Sequence, residues 1–409
     1  MMAAGRAAEV LRQERDDAQV LLLEKMPRLG TKLRITGKGR CNITNACEIR
    51  EFLDHLGPHG IFLRNAAARF FVEDTVRFFH AHGVPTTTER GRRVFPISND
   101  ANDVAEALRR YCVDHDVILH LGAPVVGLEP VDRQGWRIML GDEELTAEAV
   151  VLATGGLSYP GTGSTGDGYG MAHALGHTVA PLRPGLVPLV TAEAFVPRLQ
   201  GLSLRHVRAT LTQQGRELGS EFGEMLFTHY GVSGPIILTL SSQLGDALQA
   251  GPVELCIDLK PALERETLDQ RLLRELRALA RGHYQRLLQE LLPKSLIEVF
   301  AQRSGISLQA SLGQFTAEQR ERVIELLKGF CLTVVGTRPI AEAIITLGGV
   351  ACDEIVPQTM ASRLHRGLYI VGELLDVAGD TGGYNLQIAF TTGHVAGESA
   401  AQALLENGG

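Results

Sequence analysis

The sequence lacks the features that define several protein classes. No apolar run approaches about 18 residues, and the N-terminus has neither the basic nor the apolar segment of a signal peptide. We therefore expect a cytoplasmic protein with no membrane partner. The chain also lacks an excess of positive charge. Its formal net charge of -7 excludes a protein that is basic throughout and coats nucleic acid, although it leaves room for a local basic face.

Paired cysteine motifs are also absent. The cysteines are scattered along the chain, at Cys41, Cys47, Cys112, Cys256, Cys331 and Cys352. Because no C-x-x-C pair occurs, the spacing indicates neither a zinc site nor a disulfide framework. We expect reduced thiols and no metal ion.

Glycine, in contrast, is abundant. Many of the 45 glycines fall in three clusters, at residues 30–40, 155–170 and 379–383. Glycine allows the backbone to come close to a ligand, because it has no side chain and accepts unusual φ angles. The three clusters are therefore where we expect the functional site.

The length of 409 residues predicts two domains, because it exceeds the usual size of one. From about Pro188 the pattern changes to short strand-like segments followed by helical stretches at 264–300 and 316–328. A single helix is also expected over residues 66–82. The predicted domains are a discontinuous first domain, residues 1–187 and 337–409, and an inserted substrate domain, residues 188–336.

An acidic residue ends the first buried strand. The apolar run Ala18–Leu23 stops at Glu24. In a dinucleotide-binding βαβ unit, an acid about 20 residues after the last glycine of G-x-G-x-x-G binds the ribose hydroxyls. Counting back places that glycine at or just before Met1, so we expect the chain to begin inside the unit, without its first strand and phosphate loop. Taken alone, Glu24 fits an ordinary strand-end carboxylate equally well.

A literal G-x-G-x-x-G does occur, as Gly161–Gly166, but its context argues against a phosphate loop. A working loop follows its strand directly and leads into a helix. Here six residues separate the motif from Thr154 at the strand end, and Pro160 favours an extended residue before it. The next candidate strand ends in Thr191 rather than an acid. We predict that this segment is a loop near a cofactor or substrate.

Four longer segments resemble one family of flavoproteins. They are GTKLRITGKGRCNITN at 30–45, ATGGLSYPGTGSTGDGYGMAHALGH at 153–177, LFTHYGVSGP at 226–235 and GELLDVAGDTGGYNLQIAFTTGHVAG at 372–397. The acid that ends one strand and the glycine loops that follow later strands together resemble FAD-binding proteins of the glutathione-reductase type. The four segments resemble, within that class, one family that contains a bile-acid enone reductase, an aminoacetone oxidase and a ribosomal-RNA dihydrouridine synthase. The resemblance covers nearly the whole chain, except that the family's N-terminal G-x-G-x-x-G is not present.

The resemblance implies an α/β fold. It is a glutathione-reductase-type, FAD-binding, Rossmann-like domain, truncated at its N-terminus and interrupted by an inserted β-barrel-like plus helical domain. It also implies FAD as the cofactor. No second nucleotide fingerprint is present, so any NAD(P)H would be a transient electron donor at the flavin. The residues implied to bind FAD are Glu24, Lys32, Gly37, Gly39, Arg40, Asn42, Thr154, Gly155, Gly156, Gly372, Glu373, Asp380, Gly382, Gly383, Tyr384 and Asn385.

Each of these assignments has a plainer alternative. Backbone amides of the 37–42 segment can approach phosphate and ribose, but a glycine-rich surface turn has the same composition. Glu373 resembles the acid that binds the ribityl chain, although helix caps are also acidic. The helix that follows Asn385 would present its N-terminal amides to the flavin. The amides and the dipole of this helix stabilise the negative charge of a reduced flavin.

Three residues are candidates for catalysis. Cys41 is a motif residue and a candidate proton donor. Tyr159 lies in the loop expected to cover the flavin, together with the polar residues Ser164, Thr165 and Asp167. His229 in the inserted domain resembles a family motif, but a lone histidine is more often structural.

The function implied is reduction of an activated carbon–carbon double bond, in an enone or in uridine of ribosomal RNA. An RNA substrate requires a basic face, and residues 260–330 carry twelve Lys or Arg against nine Asp or Glu. This modest excess occurs equally in helices that bind nothing. Two alternatives remain: a flavin-dependent amine oxidase that produces hydrogen peroxide, and a non-catalytic flavin-binding module.

Overall fold

The computed structural model describes residues 1–14, 18–131 and 135–407. The strands are β1 Leu21–Glu24, β2 Thr44–Asn45, β3 Thr86–Thr88, β4 Arg93–Pro96, β5 Ile118–Leu121, β6 Gly127–Val131, β7 Gly135–Leu140, β8 Glu143–Ala147, β9 Val150–Leu152, β10 Arg183–Gly185, β11 Leu189–Thr191, β12 Ser203–Gln213, β13 Arg216–Phe227, β14 Gly231–Ser233, β15 Val253–Asp258, β16 Phe330–Thr337, β17 Ile345–Leu347 and β18 Leu368–Ile370. The helices are α1 Met2–Leu11, α2 Thr31–Ile35, α3 Ile49–Asp54, α4 Arg64–Ala67, α5 Val72–Ala81, α6 Ala101–Asp114, α7 Asp167–Ala174, α8 Pro235–Ser241, α9 Ala247–Ala250, α10 Arg265–Ala278, α11 Tyr284–Leu291, α12 Ile297–Ser304, α13 Ala317–Lys328 and α14 Tyr384–Asn407.

The chain forms two compact units. Unit 1 consists of residues Met1–Gly185 and Ile340–Gly409, and unit 2 of Leu186–Pro339. In the part of the chain that the structure describes, no helix has the length and apolar character needed to cross a membrane.

Unit 1 is built on parallel strand pairs with helices packed against them. Strand β1 pairs with β5, and β18 pairs with β9, both in parallel. The last helix, α14, lies in the interior, which explains why its sequence is apolar on several faces. Gly397 lets α14 approach α1 closely, because a Cβ there would lie 2.9 Å from the carbonyl carbon of Ala3. An antiparallel meander of β6, β7 and β8 buries Trp136.

Unit 2 is a closed barrel with helices added to it. The six strands follow the order β11, β14, β13, β12, β15 and β16, and β16 pairs back with β11. Alternate residues of β15 and β16 are buried, as expected where one face of a strand lines a core. The helices α10 to α13 add leucines to the same core. Helix α13 begins with a capping box, because Thr316 and Gln319 satisfy each other's backbone amides.

The α/β fold class predicted from the sequence is confirmed, including the inserted barrel with its added helices. One helix prediction is wrong: residues 66–82 form α4 and α5 rather than one helix. The Asp74 carboxylate accepts the Phe71 N–H at 3.0 Å and so starts a new helix at Val72. The helical stretch predicted at 264–300 contains α10, α11 and the start of α12.

The expectation that all cysteines are reduced is also wrong. Cys256 and Cys331 form a disulfide between β15 and β16, where they are direct cross-strand partners. They are 75 positions apart in the sequence, so their proximity depends on the strand register and not on any local spacing. The other four cysteines are free thiols.

Candidate active site

Several predicted site residues of unit 1 lie just after its parallel strands, with Glu24 at the end of β1, Thr154 after β9 and Glu373 after β18. At the end of β1, Glu24 Oε1 accepts the N–H of Met26 at 2.9 Å and so stabilises the turn that follows. The adjacent Lys25 bonds to Thr165 and lies 2.5 Å from Asp167 Oδ2. These contacts bring the G-x-G-x-x-G loop beside the end of β1, where α7 then begins.

Lys32 lies at the centre of a cluster that joins three segments distant in sequence. Its Nζ is 2.6 Å from Glu373 Oε2 and 2.7 Å from the hydroxyl of Ser158. Glu373 Oε1 accepts the backbone N–H of Thr346 at 2.9 Å and lies 3.1 Å from Ser158 Oγ. Charge-assisted bonds of this kind are stronger than neutral ones, so the carboxylate is held firmly.

Two glycines shape the space around this cluster. A Cβ at Gly156 would lie 2.6 Å from Glu373 Oε1, so only glycine fits there. Gly155 has a φ of 74°. The preceding Thr154 follows β9, and on the other side Gly372 precedes Glu373 with a φ of 68°. The backbone after β9 and the backbone after β18 are therefore close together.

The loop at residues 37–42 has an unusual backbone. Gly37, Lys38, Gly39 and Cys41 all have positive φ angles, and nothing lies within 4 Å of a Cβ at Gly39. The guanidinium of Arg40 is already engaged: it pairs with Glu89, donates to Asn99 Oδ1 at 2.7 Å and lies 4.1 Å from the centre of the Phe95 ring. The loop is held by these contacts as well as by its glycines.

The third glycine cluster leads into α14. Asn385 closes the turn, since its side chain bonds to both the N–H and the carbonyl of Gly379. Gly383 has a φ of 103°, and a Cβ there would lie 2.5 Å from the carbonyl carbon of Thr44. The Gly382 carbonyl accepts from the Asn45 amide at 3.2 Å. This loop therefore packs directly on β2.

Asp380 and Tyr384 pack with an imidazole. His55 Nδ1 lies 2.7 Å from Asp380 Oδ2, and its ring stacks on Tyr384 with 4.5 Å between centroids. Burial, reinforced by the nearby Cys47, Glu51 and Asp380, raises the pKa of the Tyr384 hydroxyl above its ordinary value. Tyr384 therefore stays neutral at physiological pH.

The three catalytic candidates occupy different surroundings. Cys41 is completely buried, and burial raises the pKa of its thiol to about 12. Tyr159 is 39% exposed, with a left-handed backbone, and directly follows Ser158 of the Lys32 cluster. His229 is in unit 2, exposed at the tip of the β13–β14 hairpin, with its ring 4.8 Å from that of Tyr230.

Two members of the Lys32 cluster, Ser158 and Thr346, were not predicted. Ser158 lies within the glycine-rich segment, and its complete burial distinguishes it from the exposed residues of that loop. Thr346 lies in the TLGGV segment on β17. Only the tertiary fold brings these residues to Glu373, so the sequence offered no signal beyond their glycine neighbours.

The residues present fit a flavin nucleotide. Among the residues that the structure describes, three polar atoms of this region are buried without a hydrogen-bond partner: Thr154 Oγ1, Asn42 Oδ1 and Asn45 Oδ1. Buried polar atoms are normally paired, so these atoms suggest a ligand that carries hydroxyl and N–H donors. A ribityl chain and an isoalloxazine ring carry such groups.

Known proteins resemble this chain over most of its length. The family model described as "HI0933-like protein Rossmann domain" matches residues 1–399. The chain is 33% identical over 403 residues to the 3-dehydro-bile acid delta(4,6)-reductase of Clostridium scindens, covering 98% of this chain and 97% of the relative. It is 32% identical over 378 residues to the ribosomal RNA dihydrouridine synthase of Escherichia coli, covering 91% and 90%.

Among solved structures, a FrdA variant of E. coli quinol fumarate reductase superposes with a TM-score of 0.51 at 18% identity. The superposition covers all of this chain and 69% of the other. At this level of identity the likeness concerns the fold alone.

Proposed function

Because this chain belongs to the HI0933-like Rossmann family, it is an FAD-dependent oxidoreductase, and we propose that it reduces an activated carbon–carbon double bond with electrons from NAD(P)H.

The observation that carries the proposal is the chemistry shared by two relatives with different substrates. One is named as a reductase of the delta(4,6) positions of a bile acid, and the other as a synthase of dihydrouridine in RNA. Dihydrouridine differs from uridine by two hydrogens across a ring double bond. Both names therefore describe the addition of a hydride and a proton to a double bond conjugated with a carbonyl group.

FAD, when bound, supplies the hydride that reaches the substrate carbon. We propose that it is held by the strand-end residues of unit 1, with Glu24 toward the adenosine ribose and Glu373 toward the ribityl chain. The glycine loops after β9 and before α14 leave room for the parts of FAD that contact the protein backbone. Lys32 holds Glu373 in its orientation, because the ammonium donates a charge-assisted hydrogen bond to one carboxylate oxygen.

Tyr159 is the proton donor that the geometry favours. It is exposed enough to meet a substrate, and Ser158 anchors its backbone beside Lys32 and Glu373. Cys41 is fully enclosed, so its thiol has no route to a substrate in this conformation. His229 is the corresponding candidate in unit 2.

The substrate is an enone or the uracil ring of ribosomal RNA. For an RNA substrate, we propose that the α10 surface contacts the phosphates, because Arg274, Arg277 and Arg281 are exposed along it and just after it. Some other basic side chains of helices α10 to α13 are in ion pairs, such as Arg320 with Asp269.

The test is to incubate the purified chain with NADH or NADPH and either a steroid enone or ribosomal RNA. The proposal expects the organic product to gain two hydrogens by mass spectrometry, in step with nicotinamide oxidation. Production of hydrogen peroxide from an amine, without reduction of either double bond, would instead identify an amine oxidase.

A further inference from the structure

The outer face of the unit 2 barrel carries two sulfur atoms and a carboxylate at one place. On β15, Glu254 and Cys256 point outward, since the residues between and beside them are buried. Cys331 is the direct partner of Cys256 on β16, and the two Cα atoms are 3.9 Å apart. The ligand atoms of all three residues lie within 4.8 Å of one another.

We propose that Glu254, Cys256 and Cys331 form a binding site for a thiophilic divalent cation of the zinc type when the disulfide is reduced. Two thiolates, one carboxylate and a water molecule make a tetrahedral set that suits zinc. Zinc–sulfur bonds of about 2.3 Å place two ligating sulfurs about 3.8 Å apart, which matches a directly opposed pair on neighbouring strands.

Reduction of the disulfide and binding of the ion balance as two steps. Breaking the Sγ–Sγ bond takes two electrons and two protons, which a dithiol supplies while it is oxidised to its own disulfide. The ion then displaces the two thiol protons into solvent, and the thiolates become its ligands. Disulfide and bound metal are therefore alternative states of the same pair of sulfurs.

The surroundings leave these ligands available. Asp258, the next outward residue of β15, is engaged by Lys328 at 2.5 Å and does not compete. Arg303 donates to the Cys331 carbonyl at 2.9 Å, so this contact is with the backbone and not with the sulfur. Both cysteines are partly exposed, in contrast to Cys41 and Cys112, which are fully buried.

The experiment uses the full chain with its flavin, reduced by a phosphine that is then removed, and titrated with zinc chloride against a chromophoric chelator. The reduced chain is expected to take up one zinc ion, whereas the oxidised chain of identical sequence takes up none at this site. Cobalt, as a spectroscopic probe, is expected to give a thiolate-dependent band in the red, outside the flavin absorption.

Variants identify the ligands. Cys256→Ser and Cys331→Ser should each abolish the uptake and the cobalt band, and Glu254→Gln should weaken the affinity. Cys352→Ser, which removes another partly exposed thiol, should change neither. The proposal is overturned if reduced and oxidised chains bind zinc equally, if the serine variants still bind, or if Glu254→Gln binds as tightly as the natural chain.

Discussion

Lys32 and Glu373 are 341 positions apart, yet their Nζ and Oε2 atoms lie 2.6 Å from each other. Both side chains are less than a quarter exposed. The pair joins the segment after β1 to the end of β18, and the buried Ser158 bonds to it from the loop after β9. One ion pair therefore connects three of the segments that the sequence marks as cofactor-binding.

Removing the ammonium should weaken FAD binding. In Lys32→Met, Glu373 loses its charged partner while it remains mostly buried, which costs roughly 1.5–3 kcal/mol for a hydrogen bond to a charged group. The dissociation constant for FAD should rise about tenfold to a hundredfold, as measured by quenching of flavin fluorescence. Lys294→Met, the same change on an exposed residue of unit 2, should leave it unaltered. If the two variants bind FAD equally tightly, Lys32 is not part of the FAD site.

Two glycines distinguish the proposed FAD-binding loop after β9 from the literal G-x-G-x-x-G at Gly161–Gly166. Gly156→Ala should abolish or strongly weaken FAD binding, since its Cβ would lie 2.6 Å from Glu373 Oε1. Gly161→Ala should be tolerated, because no atom lies within 4 Å of the added Cβ. The FAD content of the two purified variants gives the comparison. Loss of FAD from Gly161→Ala would mean that Gly161–Gly166 binds phosphate after all.

The proton donor can be separated from the hydride transfer. Tyr159→Phe should slow reduction of the double bond by roughly a hundredfold to ten-thousandfold, the usual contribution of general acid catalysis. Reduction of the flavin by NAD(P)H should be unchanged in stopped-flow measurements. Cys41→Ala should keep the rate of double-bond reduction, since burial raises the pKa of this thiol to about 12 and isolates it. If Cys41→Ala slows double-bond reduction and Tyr159→Phe does not, Cys41 is the proton donor.

Acid should destabilise the chain through His394. Burial, helped by the nearby Arg6, lowers the pKa of this histidine from 6.5 to about 4. Its ring stacks on Phe70 with 4.2 Å between centroids. The unfolded chain therefore binds a proton at His394 near pH 6.5, whereas the folded chain binds it only near pH 4. The stability is fully present above pH 6.5 and is lost as the pH falls through this window, by up to about 3 kcal/mol.

The urea midpoint measured from pH 7 to pH 4.5 tests this sign. His394→Gln should flatten the fall in the midpoint over that range, whereas His283→Gln, at an exposed histidine, should keep it. A fall of the same size in all three proteins would assign the acid sensitivity to other groups.

The sequence predicts the local parts of this molecule better than its long-range pairings. An apolar run that ends in an acid identifies β1 with Glu24, and the glycine clusters identify the loops after β9 and before α14. These features are local, because they follow from strand burial and from backbone angles that glycine adopts easily. With the family resemblance, they were sufficient for the fold class and for the inserted barrel.

Pairings between distant segments could not be read in the same way. Nothing in the neighbourhood of Lys32 indicates that Ser158 and Thr346 share its carboxylate partner. The Cys256–Cys331 bond depends on the register of β15 against β16. Such contacts are decided by packing of the whole chain, so patterns over a few residues carry no signal for them.

The most direct test of the central claim is a single turnover without oxygen. The FAD-loaded chain is reduced with one equivalent of NADPH or NADH and then mixed with excess steroid enone or ribosomal RNA, while flavin absorbance is recorded. The account predicts that the oxidised flavin spectrum returns as one double bond per chain is reduced. If the flavin stays reduced with both substrates and is reoxidised only when oxygen is admitted, the chain is not an ene reductase for either class.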